Sequence, residues 1–264
     1  MRDFLVEVFK DTKKLYSTDE ALKASVEFTK ANQKLYLEKD AVDISEIKPG
    51  FETKIVVSKK RSLQAAEAYK NDTVGVLNFA NSFEPGGGVI YGARAQEESL
   101  CRLSTLYAAL STDEMREDFY DKHIDDDDPL ATDDVIYSPG VTVFKSDDSE
   151  MKLRDKSKWF NVNVLTCAAP DLYDADISDD ELFALHVKRW RRFVSVALKN
   201  GCTTLILGAF GCGAFKNNPE VVAKAAKKIV NEFNGYFKCI EFAVACKDDW
   251  TNFEAFNKEL GLRG

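Results

Sequence analysis

The chain has 264 residues, of which 45% are hydrophobic and 30% are charged, with a formal net charge of -8 at pH 7. This length suits one or two globular domains, and because no run of 18 or more apolar residues occurs, a membrane-spanning helix is not expected. The acidic balance argues against binding of bare nucleic acid, which needs a basic surface, and the charged first residues lack the apolar core of a signal peptide.

The first half of the chain predicts both helices and strands. Apolar residues recur at helical spacing in the first 32 residues, and Thr18-Asp19-Glu20 offers a start for the second helix. A β-rich run, TVGVLNFAN, ends shortly before three consecutive glycines. This half of the sequence predicts helices over 2–15, 19–32, 61–72, 98–110 and 113–122, and strands over 34–38, 53–58 and 73–81.

The second half begins with an acidic segment, HIDDDDPLATDD, over 123–134. Its four consecutive aspartates repel one another and lack the alternation of a calcium-binding loop, so we expect a solvated surface loop. Pro219 fits the first turn of a helix, and Gly261 fits the end of the closing helix. The other predictions are two strands around Ser138-Pro139-Gly140, strands over 159–170 and 237–246, a strand from residue 202 into a glycine-rich loop, and helices over 179–199, 219–233 and 251–261.

Strands that alternate with helices through the second half predict an α/β fold. We expect a mixed, largely parallel sheet between helices, with an N-terminal helical extension. The sequence shows no internal repeat and no low-complexity linker. The simplest division is therefore a single domain over 1–264, with the extension over 1–50 and the core over 51–264.

Cysteine and histidine usage favours reduced thiols over metal binding. The six cysteines show no CxxC spacing, and most lie in apolar stretches such as VNVLTCAAP, where a free Cys packs as a small hydrophobic residue. We therefore expect buried, reduced cysteines and a cytoplasmic protein. With only His123 and His186 in the chain, we expect neither a metal site nor a cofactor.

Two glycine-rich loops follow predicted strands. Gly86–Gly88 comes after TVGVLNFAN, and Gly208–Gly213 comes after TTLIL. In open α/β sheets, ligands bind outside the carboxyl ends of the strands, and glycine lets main-chain amides approach an anion. The second loop lacks the Gly-Lys-Ser/Thr ending of a Walker A loop, and its GxxGxG spacing differs from the dinucleotide-binding GxGxxG. Each loop by itself could also be a tight turn.

Glu97 and Glu98 stand at the start of a predicted helix, directly after Gln96. Acidic residues in this position often only compensate the helix dipole, but the nearby glycine loop would bring a ligand within reach. Adjacent residues of a helix point about 100° apart. We therefore expect each carboxyl group to have its own partners.

Three glycines, seven residues and then Gln-Glu-Glu resemble the signature of the poly(ADP-ribose) glycohydrolases, whose catalytic domain is a macrodomain. VLNFANSFEPGGG, IYSPGVTVF, VLTCAAP and LGAFGCGAFKNNPEVVA are similar, in that order, to segments of the microbial branch, so the resemblance covers nearly the whole chain. It implies a mixed sheet between helices, with ADP-ribose in a cleft at the strand ends. The implied reaction is exo-acting hydrolysis of the ribose–ribose O-glycosidic bond of poly(ADP-ribose), which releases ADP-ribose.

The same resemblance implies roles for the motif residues. Glu98 would be the catalytic acid, and Glu97 would hold ribose hydroxyls at the scissile bond. Both glycine loops would cradle the diphosphate, Phe215 would pack against the distal ribose, and Asn78 and Asn81 would contact ribose hydroxyls or brace the turn. The implied substrate-binding residues are Gly86, Gly87, Gly88, Gln96, Asn78, Asn81, Gly211, Cys212, Gly213, Ala214 and Phe215.

General chemistry supports the acid role of Glu98. Cleavage of a glycosidic bond needs an acid at the leaving oxygen. A Glu keeps its proton at neutral pH when burial and a like-charged neighbour raise its pKa. We therefore expect Glu97 and the substrate diphosphate to keep a proton on Glu98.

Two other functions stay open on the sequence. Related macrodomains remove single ADP-ribose units from protein or nucleic acid, and others bind ADP-ribose without cleaving it, although those lack the paired glutamates. We expect poly(ADP-ribose) or an ADP-ribosylated macromolecule as substrate, no membrane partner and a monomeric protein. The KRWRR segment over 188–192 could touch outer phosphates of the polymer, but a solvated helix face is the simpler interpretation.

Overall fold

The computed structural model describes residues 1–246 and 248–261. The strands of these residues form a seven-stranded sheet of order β1-β4-β5-β3-β6-β7-β2. Four neighbouring pairs are parallel, and only the two pairs that involve β4 are antiparallel. The predicted mixed, largely parallel sheet is therefore confirmed. The strands are β1 (Lys34–Tyr36), β2 (Lys54–Ser58), β3 (Val74–Ala80), β4 (Val135–Val143), β5 (Phe160–Ala168), β6 (Thr204–Leu207) and β7 (Cys239–Ala243).

Helices cover both faces of the sheet. Because side chains alternate along a strand, Val74 and Val76 of β3 enter one core and Leu77 enters the other. Short 3₁₀ helices at Val89–Tyr91 and Lys156–Lys158, and a π-helical turn at Arg116–Tyr120, lie between the α-helices. The α-helices are α1 (Arg2–Thr18), α2 (Glu20–Asn32), α3 (Ser62–Glu67), α4 (Gln96–Leu103), α5 (Leu106–Leu110), α6 (Asp113–Met115), α7 (Asp121–Asp126), α8 (Asp179–Lys199), α9 (Pro219–Glu232) and α10 (Thr251–Leu260).

Side-chain caps explain several of the observed helix ends. Asp19 accepts hydrogen bonds from the backbone N–H groups of Ala21 and Leu22 and so starts α2 where the sequence predicts it. Pro219 occupies the first turn of α9. A capping box formed by Ser178 and Glu181 starts α8.

The predicted helix over 98–110 is wrong as a single element. The structure has two helices, α4 and α5, separated at Ser104, whose backbone is extended with φ -142° and ψ -179°. The Ser104 hydroxyl donates to the Leu100 carbonyl and accepts from the Leu106 N–H. A side chain that offers the backbone such alternative bonds interrupts the helix, although the apolar periodicity continues across the break.

Three other boundaries differ from the sequence prediction. The predicted pair of strands around Ser138-Pro139-Gly140 is one strand, β4, with an irregularity between Ser138 and Val141. The helix predicted over 61–72 already ends at Glu67. The acidic segment is partly helical, because α7 continues to Asp126 and ends where Asp127 takes a left-handed conformation, with φ 45°.

The KRWRR segment is not a uniformly solvated helix face. Arg189 is only 1% exposed, and its Nε donates to Asp133 at 2.9 Å. Its Nη1 donates to the carbonyls of Leu130 and Ala168. Arg191, in contrast, is exposed and pairs with Glu232. The segment therefore holds the acidic loop against the sheet, which a solvated face would not do.

The cysteines are free thiols. Burial is as predicted for four of them, but Cys212 and Cys246 are only half-buried, so that expectation is wrong for these two. No helix among residues 1–246 and 248–261 has the length and apolar character needed to cross a bilayer. Over the same residues, no three His, Cys, Asp or Glu side chains come together as a metal site would require.

Candidate active site

Both glycine-rich loops lie at the carboxyl edge of the sheet. The first glycine loop (Gly86–Gly88) follows β3, the second (Gly208–Gly213) follows β6, and these two strands are parallel neighbours. Between the loops is a cavity of about 710 Å³. The predicted site residues that line it are Asn81, Gln96, Glu97, Glu98, Gly211, Gly213, Ala214 and Phe215, whereas Asn78, Gly86, Gly87, Gly88 and Cys212 do not line it.

The first glycine loop closes tightly over the two carboxyl groups. Gly86 and Gly87 have φ of 72° and 55°, a conformation that L side chains rarely adopt. A Cβ atom on Gly87 would stand 2.8 Å from Glu98 Oε1 and 3.2 Å from Glu97 Oε2. Only glycine therefore fits at this position without moving the carboxyl groups.

Gln96 fixes the start of α4 to the end of β3. Its Oε1 accepts from Phe79 N at 2.9 Å, and its Nε2 donates to the Leu77 carbonyl at 2.7 Å. Nε2 also donates to Ser62 Oγ at 3.0 Å. This amide therefore sets where the following two glutamates begin, besides lining the cavity.

Glu97 is held through both of its oxygens. Oε1 accepts from Asn78 Nδ2 at 3.0 Å, and Oε2 accepts from Asn81 N at 2.8 Å. The side chain is 3% exposed. Burial and, to a lesser extent, the charge of Glu98 raise the pKa of Glu97 to about 8. The N–H groups that donate to Glu97 lower its pKa and offset part of this rise.

Glu98, the next residue of α4, has a different environment. Its Oε1 accepts from Gly88 N at 3.0 Å. Its Oε2 is buried and has no hydrogen-bond partner among the residues that the structure describes. The two carboxyl groups thus have separate partners, as their angular spacing on α4 predicts, and one oxygen of Glu98 is uncommitted.

Asn78, within β3, and Asn81, directly after it, have bracing positions. Asn78 is fully buried, and its Nδ2 also donates to Thr166 Oγ1 at 3.2 Å. Asn81 Oδ1 accepts from the N–H groups of Phe83 and Glu84, both at 2.8 Å. Asn81 therefore braces the turn and also lines the cavity, whereas Asn78 braces Glu97 against β5.

The second glycine loop is held from behind by Asn217. Gly211 has φ 78°, and a Cβ atom there would stand 2.8 Å from Asn217 Oδ1. Asn217 N donates to the Gly211 carbonyl at 3.1 Å, and its Nδ2 donates to the carbonyls of Pro170 and Phe215 at 2.7 and 2.9 Å. Phe210 is fully buried and belongs to the core.

Comparison with known families gives a match over residues 6–146 to the microbial-type PARG catalytic domain, where PARG denotes poly(ADP-ribose) glycohydrolase. This chain belongs to the microbial-type poly(ADP-ribose) glycohydrolase family. The match spans the first glycine loop, Gln96 and both glutamates. No curated protein matched the chain.

Solved poly(ADP-ribose) glycohydrolases have the same fold. The enzyme from Thermomonospora curvata superposes with a TM-score of 0.89 at 29% identity, over 98% of this chain and 100% of the other. Its complex with the inhibitor ADP-HPD gives 0.87 at 30% identity, over 97% and 99%. The Deinococcus radiodurans enzyme in complex with ADP-ribose gives 0.79 at 30% identity, over 89% and 96%.

In this poly(ADP-ribose) glycohydrolase fold, a buried histidine completes the support of the second loop. His186 Nε2 lies 2.6 Å from Asn217 Oδ1, and Trp190 Nε1 donates to His186 Nδ1 at 3.2 Å. The tryptophan can only donate, so the ring proton is on Nε2. Burial lowers the pKa of His186 to about 4, which keeps the ring neutral at physiological pH.

Sequence reasoning missed Asn217 and His186. The Lys-Asn-Asn after Phe215 offers a helix start, which Asn218 provides by capping α9. The two residues of the support are 31 positions apart. The sequence shows only that Asn217 is a polar residue next to the helix cap Asn218. This position does not indicate that Asn217 contacts His186.

Proposed function

We propose that this chain hydrolyses the ribose–ribose O-glycosidic bond of poly(ADP-ribose) and releases ADP-ribose, with Glu98 as the acid and then the base. Family membership supports the reaction class. The observation that supports the role of Glu98 is its uncommitted, buried Oε2 in the wall of the cavity. Every other carboxylate oxygen of the Glu97–Glu98 pair already accepts from an N–H group.

In the first step, Glu98 Oε2 donates its proton to the ribose oxygen that leaves the anomeric carbon. The glycosidic C–O bond breaks with its electron pair on that oxygen, and the ribose becomes oxocarbenium-like. In the second step a water attacks the anomeric carbon, and the Glu98 carboxylate accepts the water proton. The products are free ADP-ribose and a chain one unit shorter, and Glu98 is protonated again.

The proton that starts the reaction belongs to the carboxyl pair. The sequence led us to expect it on Glu98, whereas the raised pKa that the structure supports is that of Glu97. Burial raises the pKa of Glu97 to about 8, so Glu97 holds a proton at neutral pH directly beside Glu98. Donation runs through Glu98, because Glu97 is held by Asn78 and Asn81. Glu97 keeps lone pairs with which to accept ribose hydroxyls.

The two glycine loops would hold the diphosphate of the unit that is cleaved. The first loop places the N–H of Gly88 beside Glu98, and the second presents Gly211, Gly213 and Ala214 to the same cavity. Phe215, in that wall, would pack against the distal ribose. Negative charge of the diphosphate next to the anomeric carbon would stabilise the developing cation.

Replacement of Glu98 tests this assignment. We expect Glu98→Gln to lower ADP-ribose release from polymer by at least about 100-fold, the usual contribution of an acid catalyst. Calorimetry should show ADP-ribose binding close to wild type. Glu7→Gln, on the exposed side of α1, is the control and should change neither quantity. Wild-type turnover in Glu98→Gln would refute the role of Glu98.

The substrate and the direction of cleavage need a separate experiment. We propose polymer as the substrate and exo action on chain ends, on the strength of the family resemblance. Early products from chains of defined length should be single ADP-ribose units. Faster release from protein or DNA that carries single ADP-ribose units would favour the mono-ADP-ribosyl hydrolase instead, and tight ADP-ribose binding without any turnover would favour a binding module.

We also propose that residues 1–264 form a single domain that acts as a monomer. Phe9 of α1 packs in the same core as Val74 of β3, and Thr12 Oγ1 donates to the Arg102 carbonyl of α4 at 2.5 Å. Deletion of residues 1–50 should therefore give an unfolded product in circular dichroism. Sedimentation at micromolar concentration should give the mass of one chain.

A further inference from the structure

The catalytic cavity extends along α4 beyond Glu98. This extension is bounded by α1, α4, the start of α3 and the loop over 147–151. We call it the Arg102 recess. Its wall includes Phe4, Leu5, Arg61, Arg94, Arg102 and Met151.

Arg102 is a buried cation that forms no ion pair with the residues that the structure describes, although the charge of Glu98, one helical turn earlier, acts on it. It is 2% exposed, and its Nε and Nη1 have no hydrogen-bond partner in the part of the chain that the structure describes. Burial lowers the pKa of Arg102, yet a guanidinium stays charged at physiological pH. A buried charge without a partner is strongly destabilising, so an arginine of this kind in a cavity wall indicates a site for an anion.

The carboxylates around the recess have hydrogen-bond partners other than Arg102, apart from the unpartnered Oε2 of Glu98. Asp147 Oδ1 accepts from Arg61 Nη1 at 2.8 Å, and Asp148 Oδ1 accepts from two backbone N–H groups of its own loop. Glu98 Oε1 accepts from the first glycine loop. Among the described residues, none of these carboxylates forms an ion pair with Arg102; the charge of Glu98, one helical turn earlier, offsets only part of the cost of burying Arg102, whose pKa stays lowered.

Two features of the recess suit a phosphoryl group. Arg94 is exposed, lines the same cavity and acts on Arg102 through its positive charge, so two guanidinium charges favour a doubly charged anion in the recess. Phe4 and Leu5 form an apolar part of the wall, which strengthens charge-assisted hydrogen bonds by excluding water. Guanidinium groups match the oxygens of a phosphoryl group better than ammonium groups do.

We propose that the Arg102 recess is a second anion site, which binds a phosphoryl group one helical turn away from Glu98. The phosphoryl group comes either from the polymer unit next to the one being cleaved or from free phosphate in solution. The first source rests on the proposed function, and the second does not.

The test uses protein whose cleft is already filled with ADP-ribose. Inorganic pyrophosphate is titrated calorimetrically into this complex for the wild type, Arg102→Met and Arg191→Met, the last being an exposed arginine that pairs with Glu232. We expect Arg102→Met to weaken pyrophosphate binding at least about tenfold, as loss of a charged partner does. Arg191→Met should behave as wild type.

A second arm identifies the source of the phosphoryl group. In the Glu98→Gln background, a chain of two ADP-ribose units should bind more tightly than ADP-ribose alone, and Arg102→Met should remove this gain if the polymer supplies the group. Pyrophosphate binding without such a gain assigns the site to free phosphate. If Arg102→Met does not fold, Arg94→Ala on the surface should still weaken binding about threefold.

The proposal is overturned if neither pyrophosphate binding nor the gain from the second unit depends on Arg102 and Arg94. This failure is separate from that of the proposed function. A protein that cleaves polymer without any arginine-dependent anion binding contradicts only the recess. A protein that binds pyrophosphate through Arg102 but never releases ADP-ribose contradicts only the glycohydrolase assignment.

Discussion

The two glycine loops follow neighbouring parallel strands, β3 and β6, but are held in place by different groups. The first is tied to the carboxyl pair itself, through Gly88 N to Glu98 and Asn81 N to Glu97. The second is tied to Asn217 and His186, which lie in the core behind it. The conformation of the first loop therefore depends on the carboxyl groups that we propose to react, whereas the second loop is held by residues that do not contact these groups.

The largest effect should come from filling the space between the first loop and Glu98. In Gly87→Ala the new Cβ would meet Glu98 Oε1 at 2.8 Å, on a backbone with φ 55°. Displacement of the acid should lower turnover about 1,000-fold, within the usual contribution of an acid catalyst. Gly50→Ala, which meets nothing within 4 Å, is the control for steady-state kinetics. Wild-type turnover in Gly87→Ala would show that this loop does not position Glu98.

The second largest effect should be a pH dependence of the unfolding free energy. For the first loop, this dependence should come from the titration of Glu97. Its pKa is raised from 4.5 to about 8 in the folded protein, so the folded state binds this proton more tightly than the unfolded chain. The resulting stabilisation is complete below pH 4.5 and is lost as the pH rises through 8. Relative to Glu97→Gln, the wild type should lose up to about 4 kcal/mol of unfolding free energy over this range.

Denaturant unfolding of both proteins between pH 5 and pH 9 measures this loss. Glu7→Gln, which removes an exposed carboxylate of α1, should run parallel to the wild type. Parallel curves for Glu97→Gln and the wild type would mean that Glu97 titrates alike in the folded and unfolded chains. The stability of the first loop would then not depend on the protonation of Glu97.

The sequence predicted the first loop better than the second for a physical reason. Gly86–Gly88, Gln96 and the two glutamates lie within 13 positions of one another, so a local pattern contains loop, anchor and acid together. The support of the second loop joins Asn217 to His186 across 31 positions. No periodicity encodes such a contact, because it depends on how α8 packs against the sheet.

The same limit explains the errors in the fold. The alternation of helices and strands predicts the sheet and its flanking helices, since each element has its own apolar pattern. Arg189 looked like part of a solvated face, because its partner Asp133 is 56 positions away. The apolar periodicity does not reveal the helix break at Ser104, because it continues across this residue. The break comes from the Ser104 hydroxyl, which forms hydrogen bonds with the backbone.

The second loop should show the opposite pH trend through His186. Its pKa is lowered from 6.5 to about 4 by burial, so the unfolded chain binds this proton more tightly. The neutral ring stabilises the fold fully above pH 6.5, and this contribution is lost as the pH falls to 4. The wild type should lose up to about 3 kcal/mol over this range relative to His186→Gln, which keeps an N–H donor but does not titrate.

Urea unfolding between pH 4 and pH 7 checks this second trend. If the wild type and His186→Gln respond alike to acid, the ring is not held neutral by its surroundings. The two titration ranges overlap between pH 4.5 and pH 6.5, where the opposite pH trends of Glu97 and His186 cancel, so the sum of their contributions should be greatest in this overlap and should fall on either side of it. The sign of the pH effect thus distinguishes a loop held by an acid from a loop held by a base.

The smallest effect should come from the open part of the second loop. Gly213 has ordinary backbone angles, and a Cβ atom there would meet nothing within 4 Å, although the residue lines the cavity. Gly213→Ala should change the calorimetric Kd for ADP-ribose less than about threefold, because surface changes without strain cost little. Gly211→Ala is the contrasting variant, since its Cβ would press on Asn217 at φ 78°. A large loss in Gly213→Ala would mean that the ligand packs directly against this backbone, so that the second loop, like the first, is shaped by what it contacts during the reaction.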